Sequence, residues 1–244
     1  MTGIGLATVQ ALLSDGCRVA VGARRGDDVA ATQTFREKVG SNPVLLRLDV
    51  QSPASVETFV TATEAALGPI DILVNNAGIS AHHDIEDHSE DDWLRVIDIN
   101  LNGPFRMARR CIGGMKKRGW GRIVNVASTA AHTAVAGSGA YCASKSGLLG
   151  LTRTLAIEGA PHGVSCVSVS PTWIKTDMLL ASASEIAARD GGSTEDTIAE
   201  IADANPQKRL VEPQEVAAVI AFACSEAAPA LTMEDIQVSA GAHW

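Results

Sequence analysis

G-R-I-V-N-V-A-S-T-A-A-H-T-A-V-A-G-S-G-A-Y-C-A-S-K, residues 121–145, is the stretch that decides the fold, because it joins two kinds of pattern. Its first part, R-I-V-N-V at 122–126, is a short apolar run that reads as a buried strand. Its last part opens a longer pattern, 141–159, with apolar residues at helical spacing. A strand followed by an amphipathic helix is the repeating unit of α/β proteins.

The rest of the chain repeats this unit. Further apolar runs lie at 18–22, 44–48, 70–74, 164–169 and 235–238. Helical patterns lie between or beside them at 4–14, 28–39, 53–67, 90–118 and 213–225, and the expected helix stops are Gly16, Gly40, Gly68 and Gly119. This alternation predicts an α/β fold with a doubly wound parallel sheet covered by helices on both faces. We expect residues 1–244 to form a single domain.

One long segment, 176–211, interrupts the alternation. It is rich in Ala, Ser, Asp and Gly, with only a weak helical pattern at 195–204. Irregular segments of this length in compact domains are usually functional lids or disordered. We interpret it as a substrate lid.

Composition limits the classes of function. The net charge of −8 disfavours nucleic-acid binding. No apolar run approaches the roughly 18 residues of a membrane span. No secretory signal is visible at the N-terminus, so we expect a cytoplasmic protein without a nucleic-acid or membrane partner. The 5 cysteines are scattered without a C-x-x-C pair, which argues against a disulfide framework and a zinc site.

Two clusters leave alternatives open. The segment 81–88, A-H-H-D-I-E-D-H, is either a solvated loop or a metal site, and we expect no metal because adjacent histidines do not easily face one centre. A basic cluster is either a solvated helix end or a docking surface for a phosphate-bearing carrier. Its members are Arg109, Arg110, Lys116, Lys117, Arg118 and Arg122.

Candidate binding residues follow the predicted strands, because ligands of open parallel sheets bind at the carboxyl ends of the strands. Gly3 and Gly5 open the first helix, where they either admit a phosphate to backbone N–H groups or form a plain turn. Arg24 follows the run at 18–22 with no acid at 23–25, which favours the 2′-phosphate of NADP(H) over NAD(H). An exposed arginine without a ligand is the alternative. Asn-Asn-Ala-Gly at 75–78 suits either a flat ligand or a simple turn.

The candidate catalytic residues are Ser128, Tyr141 and Lys145. Tyr141 is the single tyrosine of the chain, and Lys145 lies four residues after it, on the same face of a helix. A nearby ammonium lowers the pKa of a tyrosine, which makes the phenol a usable acid or base. Ser128 is positioned in sequence to donate a hydrogen bond to a substrate oxygen. A helix-surface pair of Tyr and Lys is the alternative.

These features together resemble the short-chain dehydrogenase/reductase family over nearly the whole chain. T-G-I-G at 2–5 resembles the end of the family's T-G-x-x-x-G-x-G motif. L-D-V at 48–50 resembles the segment that lies at the adenine, and N-N-A-G at 75–78 resembles the family's N-N-A-G loop. Asn100 lies in D-I-N-L-N-G, and the candidate trio follows at the positions of the family's catalytic set. Residues 171–176 are similar to its nicotinamide-side segment, although Thr172 replaces the usual glycine.

The resemblance implies a three-layer Rossmann fold with strand order 3-2-1-4-5-6-7, a nicotinamide cofactor, and a proton relay in which Asn100 holds a water near Lys145. The implied catalytic residues are Asn100, Ser128, Tyr141 and Lys145. The cofactor-binding residues that we expect are Gly3, Ile4, Gly5, Arg24, Asp49, Val50, Asn76, Ala77, Gly78, Tyr141, Lys145, Pro171, Ile174 and Thr176.

Within the family, the sequence is similar to bacterial 3-oxoacyl and polyketide ketoreductases. We therefore expect NADP(H)-dependent reduction of a ketone, free or as an acyl thioester, to a secondary alcohol. An NAD-dependent 3-hydroxyacid or alcohol dehydrogenase and an inactive subunit that retains the fold are the alternatives. The family usually forms homodimers or homotetramers, and an acyl carrier is a candidate partner.

The family's strand order also raises an expectation about the first strand, which lies in the centre of the sheet between the strands at 18–22 and 70–74. The chain opens at the glycine turn that follows this strand. We therefore expect the natural protein to start upstream, and this chain to be truncated or its start misassigned.

Overall fold

The computed structural model describes residues 2–242 of the predicted domain, with the side chain of Asp190 left aside. Its strands are all parallel to their neighbours, as expected for alternating strands and helices. They are β1 (Ala20–Ala23), β2 (Val44–Arg47), β3 (Ile72–Asn75), β4 (Gly121–Val126), β5 (Val164–Pro171) and β6 (Asp235–Val238). The α/β fold with parallel strands is therefore confirmed.

The strands form two sheets with a cleft between them. One sheet has the order β1-β2 and the other β3-β4-β5-β6. The cleft, of about 710 Å³, is lined by Val19 to Ala23 on one side and by β3 on the other. Within residues 2–242 no strand pairs with the facing edges of β1 and β3. This arrangement corresponds to the family order with the central first strand left out.

Helices cover both faces of the sheets. They are α1 (Gly3–Ser14), α2 (Val29–Val39), α3 (Pro53–Leu67), α4 (Glu90–Ile97), α5 (Gly103–Arg118), α6 (Gly139–Gly159), α7 (Asp177–Asp190), α8 (Thr194–Ala204) and α9 (Pro213–Cys224). Consecutive residues of β4 face opposite cores, because side chains alternate along a strand. Ile123 packs in the core with Met115 of α5, whereas Val124 packs in the core with Ile220 of α9. A core on each face of the sheet, with helices outside it, gives the predicted three layers of helices, sheet and helices.

The helical pattern predicted at 90–118 is interrupted by a π-helical turn, Asp98–Asn102. Within it the Gly103 N–H donates to the Asp98 carbonyl, five residues back. Pro104 explains the interruption, since it has no amide hydrogen and so removes the α-helical donor to the Asn100 carbonyl. The sequence placed Asn100 on a regular helix, and the structure places it in this turn.

The segment predicted as a mostly irregular lid, 176–211, instead contains two helices. α8 lies where the weak pattern at 195–204 predicted it, but α7 was not predicted. Thr176 caps α7, with its Oγ1 accepting from the Leu179 N–H at 3.4 Å. Leu179, Ala183 and Ala187 form its buried stripe. Two of these are alanines, and so small a stripe gives a weak amphipathic signal.

Among residues 2–242, none of the helices combines the length and apolar content needed to cross a membrane.

Candidate active site

A cavity of about 370 Å³ lies where the loops after β3, β4 and β5 meet the first turn of α1. This is the edge at which parallel sheets bind ligands. Most of the predicted site residues line it: Gly3, Ile4, Asn76, Ala77, Gly78, Ser128, Tyr141, Lys145, Pro171, Ile174 and Thr176. Segments that lie far apart in the sequence thus share one cavity.

The candidate catalytic trio is brought together at the wall of this cavity. Ser128 follows β4, is 8% exposed, and forms a hydrogen bond with Tyr141. Lys145, one turn after Tyr141 on α6, is 4% exposed, and its Nζ lies 5.6 Å from the centre of the tyrosine ring. The Lys145 Nζ donates to the Val126 carbonyl at 2.7 Å, which fixes the lysine beside the end of β4.

Burial is the largest cause of the pKa shifts of Tyr141 and Lys145, which both lie on α6. Burial raises the pKa of Tyr141, while its hydrogen bond with Ser128 opposes this shift only in part. Burial also lowers the pKa of Lys145 to about 8, because a buried ammonium loses hydration. The predicted lowering of the Tyr141 pKa by Lys145 is therefore wrong as a net effect. Near neutral pH, Tyr141 is a neutral phenol and Lys145 is mainly charged.

Asn100 lies behind Lys145 and outside the cavity wall. Its side chain is fully buried, and its amide nitrogen donates to the Ile79 carbonyl at 2.9 Å and to Ser144 Oγ at 3.1 Å. Its Oδ1 accepts from the Ile79 N–H at 2.9 Å. The side chain thus ties the loop after β3 to α6.

The first turn of α1 leaves little room for a side chain at either predicted glycine. Gly3 has a φ of +59°, and a Cβ there would lie 2.9 Å from Thr176 Cγ2. A Cβ at Gly5 would lie 2.8 Å from Asn76 Nδ2. The bare backbone at this positive helix end lets a phosphate approach the N–H groups closely. A plain turn does not need this close packing against two other segments.

The loop after β3 closes the space between α1 and α6. Asn76, Ala77 and Gly78 line both the cavity and the cleft between the sheets, so the two spaces adjoin. A Cβ at Gly78 would lie 3.4 Å from Asn100 Oδ1 and 3.6 Å from Lys145 Nζ. These distances show that the loop lies close to Lys145.

The four remaining predicted cofactor residues line the cleft between the sheets. They are Gly5 in α1 and, at the ends of β1 and β2, Arg24, Asp49 and Val50. Arg24 is exposed, and the neighbouring Arg25 is paired with Asp28 at 2.6 Å. Asp49 uses its Oδ1 to accept the Gln51 N–H at 3.0 Å, which leaves its second oxygen for a ligand. Together, the adjoining spaces have glycines at a helix N-terminus, a flat loop and an arginine at the far end, and these residues fit an elongated, phosphate-bearing dinucleotide.

The basic cluster is largely neutralised by ion pairs. Arg110 pairs with Glu57 at 2.8 Å, Lys116 with Glu158 at 3.5 Å, and Arg118 with Asp71 at 3.0 Å. Arg122 is 5% exposed and stacks over the ring of Trp120. Most of this cluster therefore stabilises the fold locally instead of forming a free basic surface.

A hydrogen-bonded group that sequence reasoning missed lies on the opposite side of the cavity. His82 Nδ1 lies 3.1 Å from Ser138 Oγ, and its Nε2 lies 3.1 Å from Ser182 Oγ. The three residues come from the loop after β3, the start of α6, and α7. No local pattern signals this group, since the serines are 56 and 100 residues from the histidine. Within the described part of the chain, no set of His, Cys, Asp and Glu side chains is arranged to hold a metal ion.

Comparisons with known proteins agree with this geometry. The family model described as "Enoyl-(Acyl carrier protein) reductase" matches residues 1–243. A "Monensin polyketide synthase putative ketoacyl reductase" from Streptomyces virginiae is 38% identical over 98% of this chain and 93% of its own length. A D-beta-hydroxybutyrate dehydrogenase from Cupriavidus necator is 34% identical over 93% of this chain and 88% of its own length.

A solved structure, that of a variant of the actinorhodin polyketide ketoreductase with NADPH, superimposes with a TM-score of 0.93. It is 34% identical, and the match covers 98% of this chain and 92% of that one. The parallel sheets have the arrangement that the sequence patterns predicted. The chain belongs to the short-chain dehydrogenase/reductase family, and it is an oxidoreductase of that family.

Proposed function

We propose that this protein reduces a ketone, either a 3-oxoacyl or a polyketide-like substrate, to a secondary alcohol with NADPH. One observation carries the proposal: the buried Ser128 and Lys145 and the half-buried Tyr141 meet at a cavity that adjoins the glycine-lined start of α1. Proton donors thus lie next to a site that fits a dinucleotide. The ketoacyl reductase and the ketoreductase among its relatives support this reaction class.

The residues of the cavity supply the proton and hold the oxygen. When bound, NADPH would supply the hydride that the carbonyl carbon receives. Tyr141 donates its phenolic proton to the carbonyl oxygen as that oxygen gains negative charge, and the raised pKa of Tyr141 keeps this proton available at neutral pH. Ser128 donates a hydrogen bond to the same oxygen and holds it near the phenol.

The phenolate left on Tyr141 is then reprotonated by a relay that includes Lys145, one turn later on α6. The charged Lys145 stabilises the phenolate by its proximity, and it holds the cofactor ribose. The backbone carbonyl of Asn100 binds a water that links Lys145 to solvent. The side-chain amide of Asn100 is engaged by Ile79 and Ser144, so the proposal assigns the water to the backbone carbonyl, which Pro104 deprives of an α-helical donor.

Arg24 selects the cofactor. Its exposed guanidinium follows β1 and lines the cleft, and a 2′-phosphate is the group of NADP(H) that it would pair with. NADPH is therefore the preferred cofactor, with NADH weaker. The relative from Cupriavidus necator favours a second candidate, the NAD-dependent oxidation of a 3-hydroxyacid in the same cavity.

The same proposal includes the 176–211 segment as a substrate lid. α7 supplies Met178 and Leu179 to the cavity wall, which suits a cover over an acyl substrate.

Self-association is also part of the proposal. Phe105 on α5 is 45% exposed and Ile157 on α6 is 61% exposed, and such apolar side chains on adjacent helices suit a homodimer or homotetramer interface. A monomer in sedimentation analysis would contradict the self-association.

An oxidation assay of NADPH and NADH tests the function. The substrates are 3-oxoacyl thioesters free and on an acyl carrier, small ketones, and an enoyl thioester as the control for the reaction class. We expect oxidation of NADPH with 3-oxoacyl thioesters and not with the enoyl thioester. A preference for NADH with 3-hydroxyacids would favour the second candidate, and no reaction with any substrate would indicate an inactive subunit.

The matched variants Arg24→Ala and Arg25→Ala test the cofactor assignment. Loss of one charge-assisted contact is worth about 1.5 to 3 kcal/mol, so we expect Arg24→Ala to raise the Kd for NADPH at least about tenfold. The Kd for NADH and the affinities of Arg25→Ala should change little, because Arg25 is paired with Asp28. Equal losses of NADPH and NADH binding in Arg24→Ala would contradict the role in phosphate recognition.

A further inference from the structure

His82 is a cavity residue that the reaction described above does not use. It lies in the loop after β3, its side chain is 16% exposed, and it lines the cavity together with Ser138 and Ser182. Both serines are 3% exposed. A buried imidazole with both nitrogens in hydrogen bonds is already satisfied, so His82 is not a free ligand for the substrate.

The two hydrogen bonds join elements that are otherwise connected by few contacts. Ser138 precedes the first residue of α6, and the adjacent His83 N–H donates to the Gly137 carbonyl at 2.8 Å, which fixes the histidine loop to this point. Ser182 lies in the middle of α7. Among the helices and strands, α7 packs mainly against α8. The bond from His82 to Ser182 therefore ties α7 to the side of the cavity that carries Tyr141, in addition to the contacts between the start of α7 and α1.

The chemistry of the three side chains suits a fixed bridge. Burial lowers the pKa of His82, although Glu185, with a carboxylate oxygen 3.9 Å from Nε2, acts in the opposite direction. The neutral ring has one donor and one acceptor nitrogen, and a serine hydroxyl complements either. The bridge thus has no unpaired nitrogen in either tautomer.

We propose that His82 is a positioning residue that fastens α7 to the start of α6 and so fixes the wall of the cavity that faces the substrate. α7 contributes Met178, Leu179 and Ser182 to that wall, and α6 carries Tyr141 one turn after Ser138. Holding the two helices together sets the space between the proton donor and the lid. The consequence for substrate binding rests on the proposed function, whereas the attachment of α7 does not.

Amide hydrogen exchange of the whole chain without ligand tests the attachment. His82→Ala removes both hydrogen bonds, and we expect the amides of α7 to exchange about three- to tenfold faster, the factor set by a net hydrogen bond. The amides of α9, which packs in a core with β4 and β5, serve as the internal control and should not change. Unchanged exchange in α7 would overturn the proposal.

Two conservative variants separate the ends of the bridge. The amide of Gln is as many bonds from Cβ as Nε2 of histidine is, so His82→Gln can still reach Ser182. The amide of Asn corresponds to Nδ1, so His82→Asn retains only the contact with Ser138. We expect His82→Gln to restore slow exchange in α7 at least in part and His82→Asn to behave like His82→Ala. The proposal would be overturned if His82→Asn restored slow exchange in α7 as completely as His82→Gln.

Kinetics with the matched variant Ser182→Ala test the effect on substrate. In His82→Ala and Ser182→Ala, we expect KM for the ketone to rise about three- to tenfold, with kcat and the Kd for NADPH nearly unchanged. The double variant should be no worse than either single variant, because both remove the same contact. A fall in kcat with unchanged KM would overturn the positioning role. Absence of turnover in the unmodified protein would contradict the proposed function, and the exchange result would still decide the attachment of α7.

Discussion

At the level of single residues, the site depends on how burial affects Tyr141 and Lys145. Both groups lose hydration in the wall of the cavity, so each shifts toward its neutral form. For the phenol this shift preserves a proton to donate, which suits reduction. For Lys145 it brings the loss of the charge within reach of moderately alkaline pH.

The first prediction concerns the pH dependence of reduction. The pKa of Lys145 is lowered to about 8, so its ammonium is present below that pH and is lost above it. We expect kcat/KM for NADPH, measured at saturating ketone, to fall about tenfold per pH unit above this pKa. The pKa of Tyr141 is raised, so deprotonation of the phenol affects the profile only at higher pH.

The control for this pH profile is Lys145→Arg. A guanidinium stays charged throughout the range, so this variant should be slower but should lack the decline that begins near the lysine pKa. A flat profile in the unmodified protein up to pH of about 9.5 would contradict the assignment, as would an unchanged decline in Lys145→Arg.

At the level of elements, the first turn of α1 connects the cofactor site to α7. Gly3 packs against Thr176, the capping residue of α7, and Thr2 Oγ1 donates to Asp177 Oδ2 at 3.0 Å. A side chain at position 3 would therefore disturb both the phosphate-facing backbone and the base of the lid. The close packing at this point gives the glycine a specific function.

The second prediction is that Gly3→Ala weakens NADPH binding. The new Cβ would lie 2.9 Å from Thr176 Cγ2 in a left-handed backbone, and strain of this kind costs on the order of 1 to 3 kcal/mol. We expect the Kd for NADPH to rise about five- to 150-fold in a fluorescence titration, the range that corresponds to this strain. Gly16→Ala is the matched control, because Gly16 also has a positive φ but no atom lies within 4 Å of its Cβ position. Equal Kd values for the two variants would refute this role for the α1 turn.

Sequence patterns predicted the elements whose signals are local. The runs for β4 and β5 and the helices ending at Gly40 and Gly119 lie within a few residues of their predicted bounds, since apolar period and glycine stops are local properties. α7 was missed because alanines make up most of its buried stripe. The π-helical turn was missed because the helical apolar pattern continues through it, and only Pro104 marks the break.

In the site, too, the features that follow from local sequence could be predicted, and those that depend on tertiary packing could not. Tyr141 and Lys145 are four residues apart on one helix, so their proximity follows from helical geometry. The bridge from His82 to Ser138 and Ser182 depends on tertiary packing and has no sequence signal. The net pKa shift of Tyr141 depends on burial, which spacing does not reveal.

At the level of the whole molecule, two parallel sheets act as one scaffold although no strand within residues 2–242 pairs across the cleft. Helices connect them: α3 packs against both β1 and α5, and α1 packs against both α2 and α9. The residues proposed to bind the cofactor lie on both sides of this cleft, with Arg24 beside β1 and the 75–78 loop beside β3. The proposed binding of the cofactor therefore needs both sheets in place.

The central claim, that Tyr141 donates the proton in an NADPH-dependent reduction, is tested most directly by Tyr141→Phe. Turnover of a 3-oxoacyl thioester and NADPH binding are measured on the same preparation, with Cys142→Ala as the folding control. We predict a fall in kcat of about 10² to 10⁴, with the Kd for NADPH within about twofold of the unmodified protein. Turnover within about tenfold of the unmodified protein would contradict the account.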